Sequence, residues 1–276
     1  MEAFEERGYH LNTLGIDIGS ISTKAAVMNE KGLVHTKVML TGYNAEMAAS
    51  KIYTEVLAEA GLDPSSVSRV VATGYGRKSC SRADKTYTEI MCHAAGARYL
   101  CPDVRGVIDI GGQDSKAILL DDRGKVSNFV MNDKCAAGTG RFLEVMARAL
   151  EVDLDAFGAL SLQSRNPSKI SSLCTVFAES EVISLIAKGE KRENIIAGIH
   201  EAISSRVWSM AKRVGLTGLI MMTGGVAKNI GVVRALEAAL GHAIAVSEHA
   251  QVNGAIGAAR LAMALPGGEM RRDDIA

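Results

Sequence analysis

Apolar and polar positions along the first forty residues change over with the short period of strands and turns. Leu14 to Gly19 is an apolar run that ends in Asp and Gly. Ser20 to Lys24 reads as a turn, Ala25 to Met28 resumes the strand, Asn29 to Gly32 is a second turn, and Leu33 to Leu40 gives a third strand. The period then lengthens. From Ala45 to Gly61 the apolar residues Met47, Ile52, Val56 and Leu57 fall on one helical stripe, and Gly61 supplies the stop. Ser68 to Thr73 predicts a strand, Gly74 to Arg77 a turn, and Thr88 to Leu100 a helix that carries Glu89, Cys92 and His93.

Further along, strands are expected over Val107 to Leu120 and Val126 to Met131, and a helix over Gly140 to Glu151. A segment from Ser171 contains Cys174 and runs into an apolar helix that stops at Gly189. Then come a long helix from Glu193 to Val214, a buried strand from Leu219 to Met222, another helix, a strand near Ala243 to Val246, and an Ala-rich helix from Gly254 to Met263.

One pattern occurs twice. Ile16-Asp17-Ile18-Gly19 with Lys24-Ala25 returns as Ile108-Asp109-Ile110-Gly111 with Lys116-Ala117, always 92 positions on, and the turn Glu30-Lys31-Gly32 is answered by Asp122-Arg123-Gly124. Matching Asp, Gly and Lys at one offset makes coincidence improbable, so the chain holds an internal repeat. The expected organisation is two α/β halves, residues 14–101 and 102–265, with an N-terminal extension over 1–13 and a polar tail over 266–276. Each half contributes an Asp-x-Gly hairpin, and the expectation is that the two hairpins face each other across a cleft.

Composition narrows the class. The chain has 276 residues, 47% hydrophobic and 22% charged, an ordinary globular balance. Lys plus Arg equals Asp plus Glu at 31 each, so no bulk field draws it to nucleic acid or to an anionic membrane. Aromatic residues are only 4%, so the core must be aliphatic and Met-rich. Met1 to Asn12 is charged and lacks the apolar stretch of a signal peptide. The longest apolar run, around Leu216 to Val226, is too short and too glycine-broken to span a membrane, so a cytoplasmic protein is expected. The five cysteines are odd in number, widely spaced and without a C-x-x-C pair, which argues against disulfides and zinc ribbons.

The candidate chemistry concentrates in the turns. Asp17 and Asp109 each end a strand beside a glycine turn, Gly19 in one and Gly111 in the other. Carboxylates of this kind suit a hydrated Mg²⁺, which keeps several waters and uses few protein ligands. Ser20, Thr23, Lys24, Gly112 and Gln113 would then wrap the β- and γ-phosphates. Gly224-Gly225, after a buried strand and ahead of Lys228, permits close backbone approach to an adenosine. Gly138-Thr139-Gly140 leads a helix, and free N–H groups at such a helix start cradle anions. Cys135 stands three residues before that loop, where its thiolate would be favoured; the plainer reading is a small residue in a tight loop. Neither G-x-x-x-x-G-K-[ST] nor strand–G-x-G-x-x-G–helix occurs, so P-loop and Rossmann readings fall away.

The ordered set of two Asp-Gly hairpins and a late Gly-Gly resembles the actin/Hsp70/sugar-kinase ATPase superfamily. Within it, Ile108 to Lys116, Asn132 to Phe142, Thr73 to Arg77 and Glu89 to Ala94 resemble the 2-hydroxyacyl-CoA dehydratase activator and benzoyl-CoA reductase ATPase family, over nearly the whole chain. The resemblance implies a duplicated actin/Hsp70-like (ribonuclease H-like) α/β ATPase fold around a nucleotide cleft, with ATP/ADP and Mg²⁺. It implies a homodimer, or a heterodimer with a related subunit, sharing one [4Fe–4S] cluster whose ligands here are Cys135 and Cys174 of each subunit. It implies ATP-driven delivery of one low-potential electron, drawn from reduced ferredoxin or flavodoxin, to an acyl-CoA dehydratase or reductase partner. Glu89 resembles the superfamily's water-orienting carboxylate and Glu179 its nucleoside-contacting glutamate; each also fits a plain helix position. Two other classes stay open on this fold: a sugar kinase, and an Hsp70-like nucleotide switch without redox work. Iron content separates both from the redox reading.

Overall fold

A computed structural model describes residues 12–171 and 174–265. Residues 1–11 of the expected N-terminal extension and the expected polar tail lie outside the described residues, while Asn12 and Thr13, placed in that extension, begin the first strand. In chain order the elements are β1 (Asn12–Ile18), β2 (Ser22–Asn29), β3 (Gly32–Leu40), α1 (Ala45–Ala60), β4 (Val67–Thr73), β5 (Lys85–Thr86) and α2 (Glu89–Leu100). They continue as β6 (Gly106–Ile110), β7 (Ser115–Leu120), β8 (Val126–Asn132), α3 (Gly140–Ala149), α4 (Leu154–Ser161), α5 (Thr175–Ala187) and α6 (Arg192–Val214). The last are β9 (Ile220–Thr223), α7 (Ile230–Leu240), β10 (Ala245–Val246) and α8 (Asn253–Met263). Contacts divide the described chain into one unit of residues 12–96 with 254–265 and another of residues 97–253.

In the first unit the sheet order is β3-β2-β1-β4-β5, with the three-strand meander antiparallel and β4 and β5 joined in parallel. Every residue of β1 is buried, as expected of a strand covered on both faces. Leu14, Ile16 and Ile18 pack with Ile52, Val56 and Leu57 of α1. Thr13, Gly15 and Asp17 point the other way, as the two-residue period of a strand requires. There Thr13 Oγ1 donates to the Ala259 carbonyl of α8 at 3.1 Å. Gly15 has no side chain because the α8 backbone runs where a Cβ would stand. This corrects one expectation: the final helix does not complete the second half but closes the first. The small residues Gly254, Ala255, Ala258 and Ala259 let it lie this close to β1.

A second difference concerns the first hairpin. Its turn is tighter than expected, with Gly19 N–H donating to the Ser22 carbonyl at 3.1 Å. Thr23 and Lys24 therefore stand in β2 rather than in the turn, and Lys24 is in register opposite Asp17.

The second unit repeats the same plan. Its sheet order is β10-β9-β6-β7-β8, so β6 takes the place of β1, β7 and β8 form the antiparallel wing, and β9 and β10 the parallel one. Asp109 is in register with Lys116, as Asp17 is with Lys24. The core is larger: Ile108, Ile110 and Ala117 from the sheet meet Phe142, Phe157, Ile195 and Ile199 from the helices. Burying side chains of this size contributes about 1.5–3 kcal/mol each. Helix α4 has no counterpart in the sequence-based expectation. It is eight residues long and is capped by Asp153, whose Oδ1 accepts from Asp155 N–H at 3.2 Å. Among the described residues no helix is long and apolar enough to cross a membrane.

Candidate functional site

In the first unit the chain returns to one point three times. Asp17 is the last residue but one of β1, β2 brings Lys24, whose Nζ lies 3.4 Å from Asp17 Oδ2, and β4 ends at Thr73, paired in parallel with Asp17. Gly74 follows with φ of 89°, and a Cβ there would sit 2.6 Å from Asp17 Oδ1. On the far side, Gly254 at the start of α8 leaves room that a Cβ would fill, 3.0 Å from Asp17 Oδ2 and 3.1 Å from His93 Nε2. Of the predicted anion ligands, Gly19 is half-buried and Ser20 exposed at the hairpin tip. Thr23 instead is fully buried, hydrogen-bonded to Thr41 Oγ1 at 2.9 Å, so it supports the turn from behind. Glu89 is the first residue of α2, half-buried. Cys92, one turn on, is held as a thiol: burial pushes its pKa up to about 12, and the charges of Asp17 and Glu89 push the same way.

The second unit holds the matching arrangement, drawn tighter. Lys116 is only 2% exposed and reaches Asp109 Oδ2 at 3.1 Å and Asp114 Oδ2 at 2.7 Å. Thr223 Oγ1 donates to Asp109 Oδ1 at 2.8 Å. Gly224 follows with φ of 88°, and a Cβ on it would collide with the Ile110 carbonyl and come within 3.0 Å of Asp109 Oδ1. Two further segments meet here. Gly140 N–H donates to the Gly111 carbonyl and Arg141 N–H to the Gly112 carbonyl, both at 2.8 Å. A Cβ on Gly140 would lie 3.4 Å from Gly112 Cα and from a Val226 methyl. The turn holding Gly111, Gly112 and Gln113, the loop Gly138-Thr139-Gly140 and the turn at Gly224-Gly225 therefore converge. Beside them opens a groove of about 250 Å³ lined by Ala227, Lys228, Ser247, Glu248 and Gln251, among others. Glu179 stands half-buried on α5, which contributes no lining residue to this groove.

The two cysteines singled out from sequence lie on neighbouring elements of this unit. Cys135 sits half-buried in the loop that leads through Thr139 into α3. Cys174 is exposed at the N-terminal boundary of α5, and α5 packs on α3. Val176 and Phe177, next to Cys174, are 66% and 67% exposed. Cys80 and Cys92 are buried, in keeping with small core residues.

Sequence reasoning missed four residues of these two arrangements: Thr73 in the first unit, and Thr223, Asp114 and Lys116 in the second. The signal for the threonines was present. Thr73-Gly74 and Thr223-Gly224 are a second repeat, 150 positions apart, and each pair caps the parallel strand beside its aspartate. Lys116 was visible as the partner of Lys24 in the first repeat.

With this geometry in place the comparisons with known proteins are informative. A family model described as the BadF/BadG/BcrA/BcrD ATPase family matches residues 14–262. The chain is 50% identical over 248 residues to the activator of lactoyl-CoA dehydratase of Anaerotignum propionicum, covering 90% of this chain and 95% of that one. It is similar to the crystal structure of (R)-2-hydroxyglutaryl-CoA dehydratase component A of Acidaminococcus fermentans, with a TM-score of 0.88 and 48% identity over 91% of this chain and 97% of that one. It is also similar to the activator of the 2-hydroxyisocaproyl-CoA dehydratase of Clostridium difficile with bound ADPNP, with a TM-score of 0.87 and 44% identity over 92% and 95%. Duplicated sheets, paired Asp–Lys hairpins, Thr–Gly turns and a match along almost the whole chain agree: the protein is a member of the BadF/BadG/BcrA/BcrD ATPase family, with the actin-like α/β fold that its sequence resembles.

Proposed function

We propose that the protein is a cytoplasmic, ATP-dependent one-electron activator of a 2-hydroxyacyl-CoA dehydratase. The observation that carries this reading beyond ATP hydrolysis is the placement of Cys135 in the loop that leads into α3 and of Cys174 at the start of α5, two helices that pack together. Relatives named for dehydratases are 45%, 50% and 49% identical over 90% of the chain, and one named for a benzoyl-CoA reductase is 37% identical over 81% of it, which orders this reading ahead of a benzoyl-CoA reductase subunit. A sugar kinase on the same fold would give these cysteines no task.

In this reading ATP is the substrate and Mg²⁺ its companion. Each unit offers one carboxylate suited to the hydrated ion, Asp17 in the first and Asp109 in the second, and in the first unit Lys24 and Ser20 take phosphate oxygens. In the second unit the turn offers the Gly112 and Gln113 N–H groups to an anion, while the Gly111, Thr139 and Gly140 N–H groups already donate to the Asp114, Ala136 and Gly111 carbonyls and shape the turn and the loop Gly138-Thr139-Gly140. Glu89 orients the attacking water, in the positioning logic of phosphoryl transfer. Gly224-Gly225, Lys228 and the adjoining groove receive the nucleoside, while Glu179 lies outside the lining of that groove.

A [4Fe–4S] cluster takes four thiolates, and Cys135 and Cys174 provide two. A second copy of the chain, related by a twofold axis, supplies the other pair. The donor chemistry fits: both are thiols, and both reach the surface at least in part. When bound, such a cluster supplies a one-electron carrier, reloaded by reduced ferredoxin or flavodoxin. The loop that carries Cys135 is hydrogen-bonded through Gly140 and Arg141 to the Gly111 and Gly112 carbonyls, so a rearrangement of the phosphate turn reaches that loop directly. Each 59 mV gained this way corresponds to about 1.4 kcal/mol taken from the nucleotide.

The test is functional. The dithionite-reduced protein, mixed anaerobically with a 2-hydroxyacyl-CoA dehydratase, should switch on dehydration only when Mg²⁺ and ATP are added. Activation that is independent of nucleotide, or no activation of any dehydratase tried, would contradict the proposal.

A further inference from the structure

The loop that carries Cys135 is held from behind by two side chains that neither the repeat nor the nucleotide site explains. Asn132, the last residue of β8, turns its amide into the loop and donates through Nδ2 to two carbonyls, Cys135 O at 2.9 Å and Ala137 O at 3.0 Å. Its Oδ1 accepts from an Arg206 guanidinium N–H at 3.3 Å, across from α6. These partners determine which way the amide points. Two carbonyls only accept and a guanidinium only donates, so no flipped amide satisfies all three. The link to Arg206 is charge-assisted, which strengthens it and polarises the amide toward the loop. Arg206 is itself half-buried, and its Nε–H is buried without a hydrogen-bond partner. A guanidinium is kept there at a desolvation cost that plain packing does not require.

We propose that Asn132 and Arg206 are positioning residues for Cys135: Arg206 orients the Asn132 amide, and the amide fixes the two loop carbonyls that set where the Cys135 thiol points. The inference rests on the proposed role of Cys135 but is tested apart from it. The same segment is bonded through Gly140 and Arg141 to the phosphate turn, so the loop that carries the cysteine is tied both to α6 and to that turn.

The experiment reads thiol reactivity in the metal-free protein, with Cys174 on the same chain as internal reference. Wild type, Arg206→Met, Arg206→Lys and Asn132→Asp are alkylated with iodoacetamide, and the two cysteines are followed separately by mass spectrometry. Losing a charge-assisted hydrogen bond to a loop should raise its local opening about tenfold. Cys135 in Arg206→Met and Asn132→Asp should therefore react about tenfold faster, with the Cys174 rate unchanged, and Arg206→Lys should recover most of the protection. If Arg206→Met does not fold, Asn132→Asp and Arg206→Lys carry the comparison. Equal Cys135 rates in every folded variant, or parallel rises at Cys135 and Cys174, would overturn the clamp. Iron retention against a chelator, measured after reconstitution, provides the second readout. Wild type that never binds iron sinks the redox reading and leaves the alkylation result standing.

Discussion

Lys116 is as buried as the aliphatic residues around it, and two carboxylates keep it so. A buried charge with its partners in place is tolerated, whereas removing one partner leaves an uncompensated ion. This is why Asp109, Asp114 and Lys116 act as one group, while Asp17 and Lys24 form a looser and more accessible pair. Another buried residue makes its own pH prediction. His200 is 1% exposed, edge-on to Phe157 at 5.4 Å, and burial lowers its pKa to about 3. The folded protein therefore holds it neutral, while the unfolded chain takes up its proton near pH 6.5. Its contribution to stability is complete above pH 6.5 and drains away as pH falls toward 3, at up to about 1.4 kcal/mol per unit. Urea unfolding from pH 7 to pH 4 should show His200→Gln losing stability with a shallower slope than wild type. Parallel slopes would mean that His200 is not neutral in the folded state.

At the scale of elements, what was legible depended on how far apart in sequence the parts of one unit lie. An Asp and the Lys seven residues on share one hairpin, so their register showed directly as the 92-residue repeat. The Thr–Gly turns belong to β4 and β9, which follow their hairpins after insertions of very different length, so their spacing is 150 and the repeat went unread. Helix α8 was legible as a helix but not by address, because its small residues reveal close packing and not which sheet receives it. Helix α4 offered too short a stretch for its period to register. The turns carry a direct test. Gly74→Ala and Gly224→Ala add both the strain of positive φ and a collision beside an aspartate, and should cost about 1–3 kcal/mol with loss of nucleotide binding. Gly241→Ala has positive φ but open space around it, and should cost about 1 kcal/mol with binding intact. Denaturant melts with and without ADP separate the two cases. Equal effects at all three sites would remove the turns from the nucleotide site.

For the molecule as a whole, the family was legible because its motifs are local strings, and the comparison along 90% of the chain bears that out. The proposed metal chemistry rests on the resemblance alone. In the proposed reading two thiols are half a ligand set, and a site completed by symmetry would leave only its half in the sequence. The exposed Val176 and Phe177 beside Cys174 are an apolar surface of the kind a second copy would cover. The central claim is that two chains share one cluster. The most direct measurement is iron and acid-labile sulfide per dimer after anaerobic purification, on wild type and on Cys135→Ala and Cys174→Ala. The account predicts about four irons and four sulfides per dimer, lost in either variant with ADP binding retained. A protein that binds no iron after anaerobic reconstitution, or keeps its iron without either cysteine, would contradict it.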